Sequence, residues 1–205
     1  MVVAERIVLK RLGRADYLPV LEAMRAFTAR RDAATPDELW LVEHPPVYTL
    51  GLAADPAHGP RLASDIPVVQ VERGGEITYH GPGQVVLYTL VDLARRGIKV
   101  REFVRLLERS VLELLEGRGE VRPGAPGVYV GGAKVAALGI RVTRGCAFHG
   151  VALNVDMDLA PFAAIDPCGY PGLRVTQTKD LGIAGTPEEL GTKLAGILAR
   201  ELDHA

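Results

Sequence analysis

Residues 85–93 constrain the fold most, because they read Val-Val-Leu-Tyr-Thr-Leu-Val-Asp-Leu and are almost continuously apolar. A strand with one face in water alternates apolar and polar residues, whereas a strand that is covered on both faces does not. The run therefore predicts a strand inside a sheet that has a layer of structure packed against each side.

Helical spacing of apolar residues supplies candidates for those layers. Residues 16–31 and 100–115 are predicted helices, and a C-terminal helix is predicted to open with Thr186 as N-cap and Pro187 at its first position. Further strands are predicted at residues 6–12, 68–71, 128–130, 134–143 and 147–155. The apolar runs at residues 39–42 and 47–50, separated by Pro45 and Pro46, predict two strands or one broken strand. Strands and helices interleave without strict βαβ alternation, so we expect an α+β fold, a mixed β-sheet with packed helices, in a single domain over residues 1–205.

Composition limits the cellular location and the classes of binding partner that we expect. The formal net charge of −1 gives no overall attraction to nucleic acid or to an anionic membrane. The first ten residues lack the features of a signal peptide, and no apolar run is long enough to span a bilayer. We therefore expect a cytoplasmic protein that binds neither nucleic acid nor membrane. With two cysteines, Cys146 and Cys168, a disulfide framework is not expected.

A glycine-rich segment precedes the apolar run. Residues 73–84 read Arg-Gly-Gly-Glu-Ile-Thr-Tyr-His-Gly-Pro-Gly-Gln. Glycines allow positive φ and let backbone N–H groups approach a ligand closely, while Arg73, Thr78, Tyr79 and His80 offer side chains to orient it. The segment predicts a binding loop between two strands. Taken alone, it is equally compatible with an ordinary glycine-rich hairpin end.

Lys134 begins the predicted strand at residues 134–143. Alternation along a strand places Lys134 on the face of Ala136, Leu138 and Ile140, provided that no bulge intervenes. A lysine amine on an apolar face can act as a base or as the electrostatic partner of a thiolate. The alternative is a lysine at a strand end whose amine extends to water.

Cys168 lies in a constrained loop, Ile165-Asp-Pro-Cys-Gly-Tyr-Pro-Gly172. A proline before the thiol and a glycine after it limit its movement and leave room for an incoming carbonyl, which is typical of a nucleophile. The alternative is a buried cysteine acting as a small apolar residue, and Cys146 at the start of a strand fits that description better.

Two histidines occupy informative positions. His80 lies between Tyr79 and Gly81 and is predicted to border a cavity, whereas alternation places His149 on an apolar face and predicts a hydrogen-bonded core histidine. A zinc site formed by His80, His149 and Cys168 is conceivable, but no ligand spacing supports it. We expect neither a metal nor a cofactor.

Four segments in this order resemble the lipoyl(octanoyl) transferase family. They are the glycine-rich segment at 73–84, Gly131-Gly-Ala-Lys-Val-Ala-Ala-Leu-Gly139, Arg144-Gly-Cys-Ala-Phe-His-Gly-Val-Ala-Leu-Asn-Val155 and Asp166-Pro-Cys-Gly-Tyr170. The resemblance implies a fold related to the catalytic domains of biotin and lipoate protein ligases. It also implies a reaction, the transfer of an octanoyl group from octanoyl-acyl carrier protein to a specific lysine of a lipoyl domain.

The resemblance also implies roles for individual residues. Cys168 matches the cysteine that accepts the acyl group in this family, and Lys134 matches its partner lysine. The implied substrate-binding residues are Arg73, Gly74, Gly75, Glu76, Ile77, Thr78, Tyr79, His80, Ala137, Leu138, Gly139, Gly150, Val151 and Ala152. Ala137 stands where many members carry serine, so a hydroxyl group is not required at this position.

The implied partners are octanoyl-acyl carrier protein, the lipoyl domains of 2-oxoacid dehydrogenase complexes and the glycine cleavage H protein. Because partners in this family are acidic, we expect a basic rim to receive them. The candidates for this rim are Arg95, Arg96, Lys99, Arg101 and Arg105.

Three other functions remain open at this point. An ATP-dependent lipoate or biotin ligase would form an acyl-adenylate and would need no nucleophilic cysteine. A thioesterase would use water as the acyl acceptor. A non-catalytic module that binds a carrier protein would leave Cys168 merely packed.

Overall fold

The computed structural model describes residues 7–54, 60, 65–165 and 172–205. The strands are β1 (Val8–Arg14), β2 (Glu38–Glu43), β3 (Val47–Leu50), β4 (Val68–Gln70), β5 (Ile77–His80), β6 (Gln84–Asp92), β7 (Glu120–Val121), β8 (Gly127–Val130), β9 (Ala133–Thr143) and β10 (Cys146–Asn154). The helices are α1 (Tyr17–Arg30), α2 (Leu93–Arg96), α3 (Val100–Leu114) and α4 (Pro187–Asp203), with 3₁₀ turns at Ala160–Ala164 and Lys179–Leu181.

Two sheets are formed by these strands. The larger one has the order β1-β2-β6-β10-β9-β8-β7, with β1 parallel to β2 and the other neighbours antiparallel. The smaller one has the order β4-β3-β5, with β4 parallel and β5 antiparallel to β3. Together with the helices they confirm the predicted mixed α+β fold.

Strand β6 is covered on both faces, as its composition predicts. Val85 and Leu87 belong to a core cluster that also contains residues of α3 and α4. Val86, Tyr88 and Leu90 belong to a second cluster with residues of α1. The helices therefore lie on opposite faces of the larger sheet, and the smaller sheet joins α1 on the second face.

The long elements begin and end close to the predicted positions, and local sequence signals explain why. Helix α4 opens with a capping box in which the Thr186 side chain accepts from the Glu189 N–H and the Glu189 side chain accepts from the Thr186 N–H. A Gly131-Gly132 turn with positive φ at both residues joins β8 to β9. Strand β5, within the glycine-rich segment, and the short helix α2 were not predicted from the sequence.

A buried charge cluster fixes the end of β6. Asp37 has no exposed surface, and its carboxylate receives hydrogen bonds from Arg31, Arg95 and Arg96 at 2.6, 3.0 and 2.6 Å and from the Asp92 N–H at 2.8 Å. Burial alone would raise the pKa of Asp37, but these donors hold it below its usual value. Arg95 and Arg96 are therefore architectural, and the prediction that they belong to an exposed docking rim is wrong.

None of the helices in the described part of the chain is both long and apolar enough to cross a bilayer.

Candidate active site

The predicted substrate-binding segments surround one pocket beside β9 and β10, which we call the central pocket. Its lining includes Arg73, Gly75, Glu76, Ile77, Thr78, His80, Ala137, Leu138, Gly139, Gly150, Val151 and Ala152. Two predicted residues lie elsewhere. Gly74 lines a neighbouring groove, and the Tyr79 ring packs between Tyr48 and Phe162. That the remaining residues bind substrate stays a prediction.

Small residues on two adjacent strands create the space in the central pocket. Gly139 of β9 lies opposite Gly150 of β10, and Ala137 lies opposite Ala152. A β-carbon on Gly150 would stand 2.1 Å from the Leu87 carbonyl oxygen, so the close approach of β6 admits only glycine there. The four residues leave a shallow apolar slot on the sheet.

The glycine-rich loop is fastened to the edge of β9. The Gly74 N–H donates to the Ile140 carbonyl at 2.9 Å. Arg73 is buried and donates to the Thr49 carbonyl and hydroxyl oxygens at 2.7 and 2.9 Å and to the Gly74 carbonyl at 3.1 Å. Arg73 therefore holds the loop in shape as well as lining the pocket.

Two tyrosines that sequence reasoning missed form part of the pocket floor. Tyr17 and Tyr88 are buried and line the pocket, and the Tyr88 hydroxyl is hydrogen bonded to the His44 Nε2 at 2.8 Å. The His44 Nδ1 lies 2.7 Å from the Ala15 carbonyl and must donate to it, so Nε2 accepts from Tyr88. Burial raises the pKa of Tyr17 to about 12 and that of Tyr88 well above its usual value, so both stay protonated.

His80 starts a second buried hydrogen-bond network. Its Nδ1 lies 2.7 Å from Gln84 Oε1, and the Gln84 amide donates to the Asn154 Oδ1 at 3.0 Å. Asn154 in turn donates to the Thr176 carbonyl at 3.0 Å. Burial lowers the pKa of His80 to about 3, which keeps the ring neutral. The network connects the pocket floor to the segment after residues 166–171.

His149 departs from its prediction. It lies within β10 at φ +64°, a left-handed conformation that is rare for residues other than glycine. Its ring is buried and lines the central pocket, yet Nε2 has no hydrogen-bond partner among the described residues. Burial lowers its pKa to about 4. The prediction of a satisfied core histidine is therefore wrong for Nε2, and backbone strain with an open donor or acceptor is typical of functional sites.

Lys134 is buried, with 3% of its surface exposed, so the alternative of an amine extending to water is wrong. Its Nζ donates to the Pro126 carbonyl at 3.3 Å and lies 5.2 Å from the centre of the Tyr129 ring. A register shift in the β8–β9 ladder next to Lys134 breaks the alternation on which the prediction rested. Lys134 is not among the described residues that line the central pocket.

The backbone of Lys134 is bound to the chain that follows Cys168. The Lys134 N–H donates to the Arg174 carbonyl at 2.8 Å, and the Thr176 N–H donates to the Lys134 carbonyl at 2.9 Å. Val175 forms an isolated parallel bridge with Lys134. Cys168 itself lies outside the described residues.

Neither Cys146 nor a metal-binding group forms a candidate reactive site among the described residues. Cys146 is buried, and burial raises the pKa of its thiol, which agrees with a small apolar role. No group of three histidine, cysteine or acidic residues close enough to hold a metal occurs in the part of the chain that the structure describes.

A larger groove adjoins the central pocket. It lies between the glycine-rich loop and α3, and we call it the α3 groove. Its volume is about 440 Å³, compared with about 40 Å³ for the central pocket. Both share Gly75, Glu76, Leu138 and Gly139, so they meet at these residues. The α3 groove is further lined by Ala53, Gly74, Val104, Leu107, Gly124, Ala125, Pro126 and Ile140.

Comparison with known proteins identifies the family. Residues 16–196 match the family model described as the lipoyl protein ligase A/B catalytic domain. An octanoyltransferase from Dechloromonas aromatica is 60% identical over 200 residues, which cover 96% of this chain and 97% of that protein. The chain belongs to the octanoyltransferase family. An octanoyltransferase from Thiobacillus denitrificans, 57% identical over 96% of the chain and 91% of that protein, supports the same assignment. This member of the family is thus an acyltransferase.

Solved structures confirm the ligase-related fold of this octanoyltransferase family member. A putative lipoate protein ligase from T. acidophilum with bound lipoic acid matches with a TM-score of 0.74 at 16% identity, covering 95% of this chain and 85% of that one. Biotin protein ligase from Aquifex aeolicus in complex with biotin and ATP matches with a TM-score of 0.58 at 14% identity, covering 95% and 70%. At such identities the likeness concerns the fold alone.

Proposed function

We propose that the protein transfers an octanoyl group from octanoyl-acyl carrier protein to a specific lysine of lipoyl domains, with the acyl group held in transit as a thioester on Cys168. The observation that carries this proposal is the buried Lys134, whose two backbone polar groups are hydrogen bonded to the segment that follows Cys168. The proposed role of Lys134 is to take and return the proton of the thiol.

Chain connectivity permits the Cys168 thiol and the Lys134 amine to meet. Cys168 follows Ile165 by three residues and precedes Arg174 by six, and an extended chain spans at most about 3.6 Å per residue. The α-carbons of Cys168 and Arg174 are therefore within about 22 Å of each other, whatever the path between them. The Arg174 carbonyl accepts a hydrogen bond from the Lys134 N–H.

The first half-reaction forms the acyl-enzyme. A cysteine thiol has an unperturbed pKa of about 8.5, so it is mostly protonated at neutral pH and needs a base. In the proposed step Lys134 removes the proton, the Cys168 sulfur bonds to the thioester carbonyl, and the carrier's sulfur leaves and takes a proton. One thioester replaces another, so the step is nearly thermoneutral.

The second half-reaction forms the amide. The lysine of the lipoyl domain has a reference pKa of about 10.4 and must lose a proton before its nitrogen can attack. Lys134 is the proposed acceptor of that proton, which it then releases to water. The Cys168 sulfur is the leaving group and takes the second proton lost by the attacking nitrogen, which restores the thiol. Because an amide is more stable than a thioester, the cycle runs forward without ATP, a metal or a cofactor.

The central pocket supports the choice of acyl group. Its wall of Ala137, Gly139, Gly150 and Ala152 leaves an apolar slot, and each methylene buried there contributes about 0.8 kcal/mol. An octanoyl chain therefore gains more binding energy than a short acyl group. The neutral rings of His80 and His149 present no charge to it.

Lipoyl domains of 2-oxoacid dehydrogenase complexes and the glycine cleavage H protein are the proposed acceptors, and the cytoplasm is the proposed location. Of the predicted rim, Lys99, Arg101 and Arg105 are exposed and remain available to acidic partners.

Intact-mass spectrometry after mixing the protein with octanoyl-acyl carrier protein tests the proposal. We expect a gain of one octanoyl unit that maps to the Cys168 peptide, and adding a lipoyl domain should move that unit to a lysine amide. Cys168→Ala should form no acyl-enzyme, whereas the matched variant Cys146→Ala should retain it.

Three other outcomes would assign the protein a different function. Amide formation that requires octanoate and ATP would identify a ligase, and octanoate release without amide would identify a thioesterase. An unmodified protein in the presence of donor and acceptor would leave only a binding module.

A further inference from the structure

We propose that the α3 groove holds the pantetheine arm of the thioester donor, and that Arg101 and Arg105, the exposed arginines three residues before and one residue after Val104 on α3, bind the phosphate at the end of this arm. The inference rests on the proposed function, because it assigns the part of the donor that lies outside the central pocket.

The junction of the two cavities fixes the direction of the donor. The central pocket is the smaller space, and buried Tyr17, His80 and Tyr88 form part of its lining. The α3 groove continues from the shared residues past Pro126, whose carbonyl oxygen accepts from the Lys134 amine. A thioester at this junction is close to Lys134, with its acyl chain in the central pocket and its thiol arm in the α3 groove.

The chemistry of the groove fits such an arm. Leu107, Ala125 and Ile140 supply apolar surface, while Gly74 and Gly124 bring backbone close to the space without side chains. A pantetheine arm combines apolar carbons with amide groups, so it needs both kinds of contact. The α3 groove is large enough for more than an acyl chain, at about 440 Å³.

The positive charge of the two arginines near Val104 favours the phosphate of the donor over the lysine of the lipoyl domain as the group bound there. Arg101 and Arg105 are exposed and lie on the same side of α3, one turn apart and next to Val104 of the groove. Arg105 interacts electrostatically with Glu108, whose side chain also accepts a hydrogen bond from the Gly127 N–H at 3.2 Å. Two guanidinium groups attract a phosphate and repel an ammonium group. Glu76 lies where the two cavities meet.

Donors of graded length test the assignment in transfer assays with a lipoyl domain. The four donors are octanoyl-acyl carrier protein, octanoyl-phosphopantetheine, octanoyl-pantetheine and octanoyl-N-acetylcysteamine. Arg105→Glu and Arg101→Glu should each lower kcat/KM about tenfold for the two phosphate-bearing donors, as expected for loss of a charge-assisted contact. They should change kcat/KM less than about twofold for the two donors without phosphate. Lys193→Glu, an exposed charge reversal on α4, is the control.

A second variant tests the groove itself. Val104→Trp fills the α3 groove and should lower kcat/KM for octanoyl-pantetheine at least as strongly as for the longer donors, while turnover of octanoyl-N-acetylcysteamine is retained. Glu102→Trp, at an exposed position on the opposite side of the same helix, is the control. Unchanged circular dichroism and melting temperature exclude misfolding as the cause.

Three results would overturn the inference. Equal losses with all four donors would mean that the arginines act on something other than the phosphate. A raised KM for the lipoyl domain, with donor kinetics unchanged, would assign the groove to the acceptor. Transfer from none of the donors by the unmodified protein would remove the proposed function as well, whereas transfer that ignores these variants would remove the groove assignment alone.

Discussion

Two buried polar clusters flank β6, and their chemistry is opposite. At the Asp92 end of the strand, one carboxylate is enclosed by three arginines, and all four groups carry full charge. On the pocket side, Tyr17, Tyr88, His80 and His149 are held neutral by burial. The charged cluster holds strands and helices together, whereas the four neutral groups line the space proposed for the uncharged acyl chain, together with Arg73 and Glu76.

The two clusters also differ in how they use hydrogen bonds. Asp37 receives donors on both carboxylate oxygens, which ties α1 and α2 to the sheet. The pocket side leaves His149 Nε2 without a partner in the described residues and holds its backbone in a strained conformation. The comparison predicts that variants of the first cluster lose stability while variants around the pocket lose activity.

The largest effect is expected on the active-site side, at Lys134. Lys134→Met removes the amine and keeps the length of the side chain, so kcat should fall about 10²- to 10⁴-fold because proton transfer is lost. Steady-state octanoyl transfer, with circular dichroism to verify folding, measures this. Lys179→Met, at an exposed lysine paired with Asp156, should retain activity. Retention of more than a tenth of the rate by Lys134→Met would remove Lys134 from the chemistry.

Asp37→Asn should have the opposite effect from Lys134→Met, with a loss of stability and no loss of activity. It leaves three arginines around an uncharged amide and should cost about 3–5 kcal/mol in the free energy of unfolding, measured with urea at pH 7. The folded fraction should transfer octanoyl groups at an unchanged rate. Asp32→Asn, at an exposed aspartate, is the control and should cost far less. If Asp37→Asn lowered kcat without lowering stability, the separation of the two clusters would fail.

The neutral histidines predict a pH dependence of stability. The pKa values of His80 and His149 in the folded protein are about 3 and about 4, below the unfolded value of about 6.5. Between these values the unfolded chain binds more protons, so stability is complete above pH 6.5 and decreases as the pH falls. We expect a loss of about 2 kcal/mol between pH 7 and 5.5 in denaturant titrations.

Substitution of His80 and His149 isolates their contribution to the pH dependence of stability. The double variant His80→Gln with His149→Gln should reduce the dependence of stability on pH in that window, and His44, whose pKa burial also lowers, should account for a remaining slope. His204→Gln, at an exposed histidine, should leave the dependence as it is. A slope that is not reduced in the double variant would show that other groups bind the protons.

The smallest effect concerns chain length. Ala152→Val adds two methyl groups to the slot and displaces about two methylenes of the acyl chain, at about 0.8 kcal/mol each. The ratio of kcat/KM for octanoyl over hexanoyl donors should therefore fall about tenfold. Ala199→Val on α4 should leave that ratio unchanged. An unaltered ratio for Ala152→Val would place the acyl chain elsewhere.

Sequence patterns predicted the elements whose signals are local. The continuous apolar run gave the doubly covered strand β6, and Thr186 with Pro187 marked the start of α4. The glycine-rich segment and the β9 and β10 segments were linked to one site only through the resemblance, and the fold does bring them together around the central pocket.

Features that depend on distant contacts were not predictable. Asp37 and Arg96 are 59 residues apart in the chain, and neither carries a local signal for the other. Tyr17 occupies an ordinary apolar position in a helix, so nothing marked it as part of a pocket floor. The left-handed backbone of His149 has no sequence signal, since this conformation normally favours glycine. The alternation argument for Lys134 failed because a register shift cannot be seen in the residue types.

The bond between Gly74 and Ile140 has a further consequence. Strand β8 pairs with β9 only as far as Ala137, so the outer edge of β9 from Leu138 onward has no strand beside it among those described. An uncovered edge of this kind can recruit strands from other molecules and start aggregation. Because the Gly74 N–H binds the Ile140 carbonyl, the glycine-rich loop occupies part of this edge, and we expect it to limit such recruitment. Engineering the loop to admit bulkier acyl groups should therefore be judged by aggregation during expression as well as by turnover.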